Sequence, residues 1–415
     1  MSKDNRFVNG PVNTIRLRGD VNGKTKIIYL FMDFHADIRI QSQCYDIRST
    51  DIDKYLVNTF DKVHKLEPHR VFDLLIELNP LYSVRFGDPI NRGKYLFGQT
   101  VSLFNKAKNI KSRKVYMSKE LPNVRLHYAD IREYTSRKYD DIWVSLVNLI
   151  DKIQNYKSVD YHIFSNILDG LNLIYSHAGF IYNLLYKGDI KKPKSPVIFT
   201  NDQKTLIKYT SYDYNKIAQK LIYKIKKQYN NPDIKSKINK IISTDIHNIF
   251  KESLGNIENI IDYLNNLLKK FEPYKNMNYR KILVKQDDGL YDYGIKLDDI
   301  FCNISKLDNF LSNFMLDEYS LQLMDLYLLR RVLDKNYINN AIIYTGASHT
   351  VNYIRLLVKY FDFEVTHYSY LKNNNIENAH KLIKESVVKE ELNELFFPPI
   401  IKQCSNLSSF PDNFN

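Results

Sequence analysis

Two histidines and a glutamate stand at comparable places in this chain. His35 follows an apolar run in Met32-Asp33-Phe34-His35, and His349 follows another in Gly346-Ala347-Ser348-His349. Glu77 differs, because it lies inside the apolar pattern LLIELNP, where an ionised carboxylate needs a partner to offset its desolvation. A metal, an arginine or a histidine would serve. Two histidines with one or more carboxylates can hold Zn²⁺, Mn²⁺, Co²⁺ or a related divalent ion and lower the pKa of bound water to make a nucleophile. Without metal, the same groups can form a histidine base oriented by a carboxylate. Asp130 and Arg132, in HYADIREY, complete the set. Asp130 is a further candidate ligand, and Arg132 can stabilise a developing oxyanion or clamp a carboxylate or phosphate.

Each of these residues also has a structural role open to it. His35 and His349 can be hydrogen-bonded histidines near a sheet edge. Gly346 can supply a positive φ for a turn, Glu77 can pair with Arg132 or Arg85, and Asp130 can cap a helix beginning at IREY. His162, His177 and His247 fall in helical patterns with no carboxylate at useful spacing and read as packing or surface residues. Ser348 precedes His349, but no GxSxG elbow surrounds it, which argues against a serine nucleophile.

The residues depend on strands to place them. Lys26 to Met32 (KIIYLFM), preceded by the turn signal Asn22-Gly23, reads as a buried strand, as does Val71 to Leu78 (VFDLLIEL), which stops at Asn79-Pro80. Val124 to Tyr128 and Ala341 to Thr345 are a third and a fourth. The fourth leads through Gly346 into a helical pattern over Thr350 to Phe361, with a further strand at Phe363 to His367. That order puts Gly346 and His349 at a strand's carboxyl end and a helix's amino end, the edge where ligand sites of open α/β sheets gather. The middle of the chain reads as helical: Trp143 through Tyr186, Tyr214 to Tyr229, and Ser253 to Phe271, whose apolar residues Leu254, Ile257, Ile261, Leu264, Leu268 and Phe271 form one seam. Lys191 to Pro196 is the best internal linker. The expected layout is an α/β half over 1–140, a helical insertion over 141–275, a second α/β half over 276–402, and a weakly ordered tail over 403–415.

At 415 residues the chain can bury a sizeable core. Its three cysteines, Cys44, Cys302 and Cys404, are far apart and match no disulfide framework and no CxxC spacing, so a reducing compartment is the simpler reading. No run approaches the ~20 apolar residues of a membrane span, and MSKDNRFVNG has no signal-peptide character. A soluble, intracellular, cytoplasmic protein is the expectation. The 60 Lys and Arg against 47 Asp and Glu give +13, a balance that favours nucleic acid or an anionic surface. Asn105 to Lys114 and Lys224 to Lys240 are the basic tracts concerned, and without a nucleic-acid motif they read more simply as solvated faces.

Together these motifs resemble the TraB/TIKI superfamily, which includes the erythromycin esterases and the ChaN-like haem-uptake proteins. The resemblance rests on the intact GxxH at Gly346 to His349, on LLIELNP as the glutamate strand with Glu77, and on a first motif in which His35 is retained, Asp33 stands in for Glu and Met32 replaces Gly. It covers about the first 140 residues and the stretch from Asp317 to His367. It implies a TraB/TIKI-like α/β sheet flanked by helices, and either metal-dependent proteolysis or metal-free hydrolysis with a histidine base. His35, Glu77 and His349 would then bind metal or activate water on a peptide or small-molecule substrate, with Asp33 as base or extra ligand and Arg132 as electrostatic stabiliser. Haem, from the ChaN branch, is the less expected ligand. The composition is also similar to that of uncharacterised proteins of large DNA viruses. That similarity implies a host-cytoplasmic or virion location and, as the competing function, a non-catalytic virion or nucleic-acid-associated protein using its basic helices.

Overall fold

Four runs of β-branched and aromatic residues make the parallel centre of the sheet in the computed structural model, which describes residues 6–34, 40–77, 108–109, 115–117, 120–132, 148, 161–187, 211–272, 275 and 320–415. They are β3 (Lys24–Asp33), β9 (Asn340–Gly346), β5 (Phe72–Ile76) and β8 (Val124–Tyr128), side by side in that order. Their register aligns the carboxyl ends: Asp33 pairs with Gly346, and Ile76 pairs with both Tyr344 and Tyr128. Strands covered on both faces read as continuous apolar runs, which is why these four are visible in the sequence.

Antiparallel strands extend the sheet on each side. Beside β3 lies β2 (Asn13–Val21), joined to it by Asn22-Gly23, both with positive φ as a two-residue hairpin of type I′ requires. Outside it runs β10 (Glu364–Tyr368), and beyond β8 come β7 (Val115–Met117) and β6 (Lys108–Asn109). The alternation Ile15-Arg16-Leu17 marks β2, which the turn signal alone does not identify as a strand.

Successive strand residues face opposite layers. Leu30, Met32, Leu75 and Ile343 join a core with α6 (Ser320–Asp334) and α7 (Ala347–Phe361). Tyr29, Phe31, Leu74 and Tyr344 join another with α1 (Ile52–Leu66) and with Leu407, Phe410 and Phe414. The middle helices α2 (Tyr161–Tyr186), α3 (Ser211–Lys227), α4 (Pro232–Ile241) and α5 (His247–Phe271) share the first core, which continues unbroken from the sheet into them. Ile257, Ile261, Leu264 and Leu268 of the expected seam are buried there. Among the described basic positions of the second tract, the lysines from 224 to 240 are half-buried or exposed. Lys191 to Pro196 and most of Asn105 to Lys114 lie outside the described residues.

The chain end corrects two expectations. Residues 403–415 are packed, not weakly ordered: β11 (Cys404–Asn406) pairs antiparallel with β1 (Phe7–Asn9), which pairs in turn with β4 (Thr50–Asp51). Phe414 then inserts among Tyr29, Phe31, Tyr55, Phe60 and Phe72. Short polar segments hide such packing, because three buried aromatic or aliphatic residues are too few to give a period. The second correction is covalent. Cys44 and Cys404 form a disulfide, with Cα atoms 5.0 Å apart and 360 residues between them in sequence. Spacing rules detect local cysteine patterns, and this pair is made by sheet topology; Cys302 lies outside the described residues. Removing the crosslink relieves the unfolded chain of a constraint, so Cys44→Ser is expected to lower stability by about 2–4 kcal/mol. Urea midpoints with and without dithiothreitol check this: the wild type should drop to the variant's value, while the variant should not respond.

Candidate functional site

All four parallel strands end at one edge of the sheet, where Asp33 closes β3, Glu77 follows β5, Asp130 and Arg132 follow β8, and His349 follows β9. Gly346 closes β9 and is the N-cap of α7, with φ −54, so the positive φ open to a glycine is not used here. Its N–H instead donates to Glu77 Oε2 at 2.6 Å. Glu77 sits one residue past the end of β5, where the strand's alternation keeps it on the α6/α7 side with Leu75. His349 lies in the first turn of α7, buried, its ring stacked with that of Tyr353 one helical turn on.

The imidazole stands between two carboxylates. Nδ1 meets Asp325 Oδ1 at 2.6 Å, and Nε2 lies 3.4 Å from Glu77 Oε1. Asp325 projects from α6, and its second oxygen accepts from Asn352 Nδ2 at 2.6 Å, which locks the carboxylate's plane. Beyond β8, Arg132 reaches Glu77 Oε1 at 2.8 Å and grips both oxygens of Asp130 at 3.0 Å. The backbone N–H of Arg132 also donates to Asp130 Oδ1 at 2.9 Å, the local bond expected of a capping aspartate. Glu77 and Arg132 thus pair as the structural reading allowed, and the same pair sits against His349.

Burial works against a charge on His349, but Asp325 and Glu77 outweigh it and raise the imidazole from 6.5 to about 9. For Arg132, burial is likewise overcome by Asp130 and Glu77, and the guanidinium is held above its ordinary value. The imidazole and the guanidinium, both held toward their charged forms, are thus interleaved with the acidic side chains of Asp325, Glu77 and Asp130.

Asp33 does not join this group. Its strand parity places it with Phe31 and Tyr29 on the α1 side, where burial raises Tyr344 and the charges of Asp33 and Asp53 add to that rise. The two-residue period of the strand thus turns Asp33 to the face of the sheet opposite Leu75 and Glu77. His35 and Arg85 lie outside the described residues. Ser348 accepts from Lys389 Nζ at 2.7 Å and is no nucleophile elbow. Of the helical histidines, His247 bonds Tyr182 at 2.9 Å, while His162 and His177 lie against Tyr161 and Phe180.

Asp325 was not singled out in the sequence. The signal was there: SLQLMDLYLLRRVLD is a buried helix with one carboxylate in its apolar stretch, the logic already applied to Glu77. As for a metal, the described donors do not converge on a cation. Both oxygens of Glu77 are taken, one by a guanidinium and one by a peptide N–H, and Asp130 is held by the same guanidinium. No group of three or more His, Cys, Asp or Glu suited to a metal occurs among the described residues.

A second buried polar group is built on the same two strands, from Asp73 of β5 and Arg125 and His127 of β8. Asp73 Oδ1 meets His127 Nε2 at 2.6 Å, and Arg125 bonds both Asp73 oxygens at 2.8 and 2.6 Å. Arg331 of α6 donates to His127 Nδ1 at 2.9 Å. Burial, reinforced by the charge of Arg331, lowers His127 from 6.5 to about 4 despite Asp73.

The two histidines give the fold a stability maximum. His349 binds its proton more tightly folded than unfolded, so its contribution is full below pH 6.5 and is lost as pH rises to about 9. His127 binds its proton less tightly, so its contribution is full above pH 6.5 and is lost as pH falls to about 4. Each is worth on the order of 3 kcal/mol. Urea unfolding across this range should peak near pH 6.5, with His349→Gln flattening the alkaline limb alone.

Fold and site together define an α/β protein with a helix-flanked mixed sheet and a buried carboxylate–imidazole–carboxylate–guanidinium chain at its carboxyl edge. The chain belongs to the family of unknown function DUF5847, whose model matches residues 6–415. It is similar to three uncharacterised proteins of Acanthamoeba polyphaga mimivirus. One is 32% identical over 427 residues, covering 100% of this chain and 98% of the relative; the others are 29% identical over 442 residues and 30% identical over 445, each across 98% of the relative. No solved structure gives a significant match. No helix of the described residues is long and apolar enough to cross a membrane.

Proposed function

We propose that this protein is a hydrolase of TraB/TIKI-like type, closer to the metal-free branch, acting on a peptide or a small ester. The observation that carries the reading is the imidazole of His349 set between Asp325 and Glu77. Asp325 fixes the ring and its charge. Nε2 is left as the atom that exchanges a proton with substrate, and Arg132, 30% exposed, is the group that meets a developing oxyanion. A water beside Glu77 attacks the carbonyl carbon and the C–O or C–N bond breaks as Nε2 protonates the leaving atom. The proton lost by water passes to Glu77 and then back across to Nε2, which resets the site.

Hydrolysis of a panel of activated esters and peptides by purified protein tests the reading, with exhaustive chelation as one arm and His349→Gln as another. Turnover that survives chelation and is lost in the variant supports it. Turnover lost on chelation and restored by Zn²⁺ or Mn²⁺ moves the protein to the metal-dependent branch, and equal turnover in wild type and variant removes the site.

The charge of +13 favours a second reading, a non-catalytic nucleic-acid-associated or virion protein. Its viral relatives fit a place in the host cytoplasm or in a virion. Nucleic-acid affinity that falls steeply with salt would support it, and affinity indifferent to ionic strength would count against it.

A further inference from the structure

The polar group around His127 has no part in the chemistry above, and it is expensive to bury. Replacing such a set by well-packed apolar residues is often neutral or stabilising, so its retention asks for a role that apolar contacts cannot fill. The geometry of α6 supplies one. Asp325 stands in its second turn and Arg331 in its last, six residues on, about 9 Å along the axis at 1.5 Å per residue. The helix between them is buried in Leu326, Leu328, Leu329 and their neighbours. Contacts of that kind are non-directional and tolerate a small axial slip. A hydrogen bond does not, because it weakens steeply with distance and angle.

Arg331 makes such a bond. Its Nε donates to Nδ1 of His127, which fixes the neutral imidazole as the tautomer with its proton on Nε2, donated to Asp73. Asp73 is itself held by Arg125, whose second contact is the carbonyl of Tyr337 in the connection from α6 to β9. Arg331 therefore ends on a rigid part of the sheet. We propose that Arg331 is a positioning residue: by docking on His127 it sets the axial register of α6 and so holds Asp325 on Nδ1 of His349. The groups facing that imidazole are Asp325 from α6, Glu77 from the end of β5 and Tyr353 from α7. Of these, Asp325 is the one placed by α6. The inference rests on the reading of Asp325 and His349 as the working pair, yet its test needs no substrate.

The readout is the low-field proton NMR resonance of His349 Nδ1–H in the short bond to Asp325, assigned by its loss in His349→Gln of ¹⁵N-histidine-labelled full chain. In Arg331→Met the resonance should move upfield and exchange with solvent about tenfold faster, as a locally opened bond does. Arg331→Lys keeps charge and length but loses the planar Nε donor, so it should give the same shift in a chain that still folds. Lys26→Met is the control. It removes a buried cation bonded to Lys335 and Ile338 carbonyls at the same end of α6 without touching His127, and should leave the resonance in place. A wild-type resonance in both Arg331 variants, or an equal shift in Lys26→Met, overturns the proposal. A protein with no hydrolytic turnover but with the predicted shifts would keep the proposal and discard the hydrolase reading.

Discussion

Replacing His349 by Gln is expected to cut hydrolytic turnover by about 10²–10⁴-fold, the usual range for losing a positioned proton-transfer group. Glutamine is the informative choice. It preserves volume and can still donate an N–H toward Asp325 or Glu77, so the buried carboxylates keep a dipole to face, but it can neither carry nor return a proton. Alanine would confound the result by leaving Asp325 buried without its 2.6 Å partner. The loss should appear in kcat and kcat/KM alike, since in the proposed mechanism the imidazole acts in the transition state and not in uniform binding. Matching near-UV spectra of wild type and variant, with kinetics on the same ester, make the measurement; a kcat within a factor of two or three would separate His349 from the chemistry.

Arg132→Met is expected to destabilise the fold by about 3 kcal/mol at pH 7, with most of that cost coming from what remains. The guanidinium makes bonds to Glu77 and Asp130, whose side chains are 7% and 11% exposed, and its removal takes a countercharge and hydrogen-bond donors from both buried carboxylates. Methionine keeps the apolar stem and so isolates the charge. Because buried carboxylates that lose a countercharge can respond by taking up protons, the deficit should shrink as pH falls toward 5. A deficit independent of pH would point to lost packing instead. Urea midpoints at both pH values decide between them, and the same variant should lose turnover even where it is fully folded, since the proposed mechanism has Arg132 meet the oxyanion.

What could be read in the sequence follows from what each element buries. The four central strands announce themselves because both of their faces are covered, and Val124 to Tyr128 coincides with its strand. β2 and the small second sheet do not, because β2 interleaves arginines with its core residues and β1, β4 and β11 are two or three residues long. Glu77, Asp130, Arg132 and His349 were legible as a set because a polar residue at the end of an apolar run is conspicuous. Asp325 was equally anomalous in its helix but had no strand end to draw attention to it. Asp33 shows the converse limit: nearness to a strand end places a residue at the edge, while parity decides which side of the sheet it serves. The disulfide could not be read at all, since it depends on β11 returning to β1.

That crosslink makes the molecule a covalent loop. With Cys44 joined to Cys404, the chain from 44 to 404 lies on one closed circuit. A single backbone cut anywhere between the two cysteines opens the circuit without releasing either piece. The nicked protein would travel as one species on a denaturing gel until a thiol is added, and would keep both halves of the carboxyl-edge site tethered to each other. Nicking and dissociation are thereby separate events in this fold, and the second waits on a reductant.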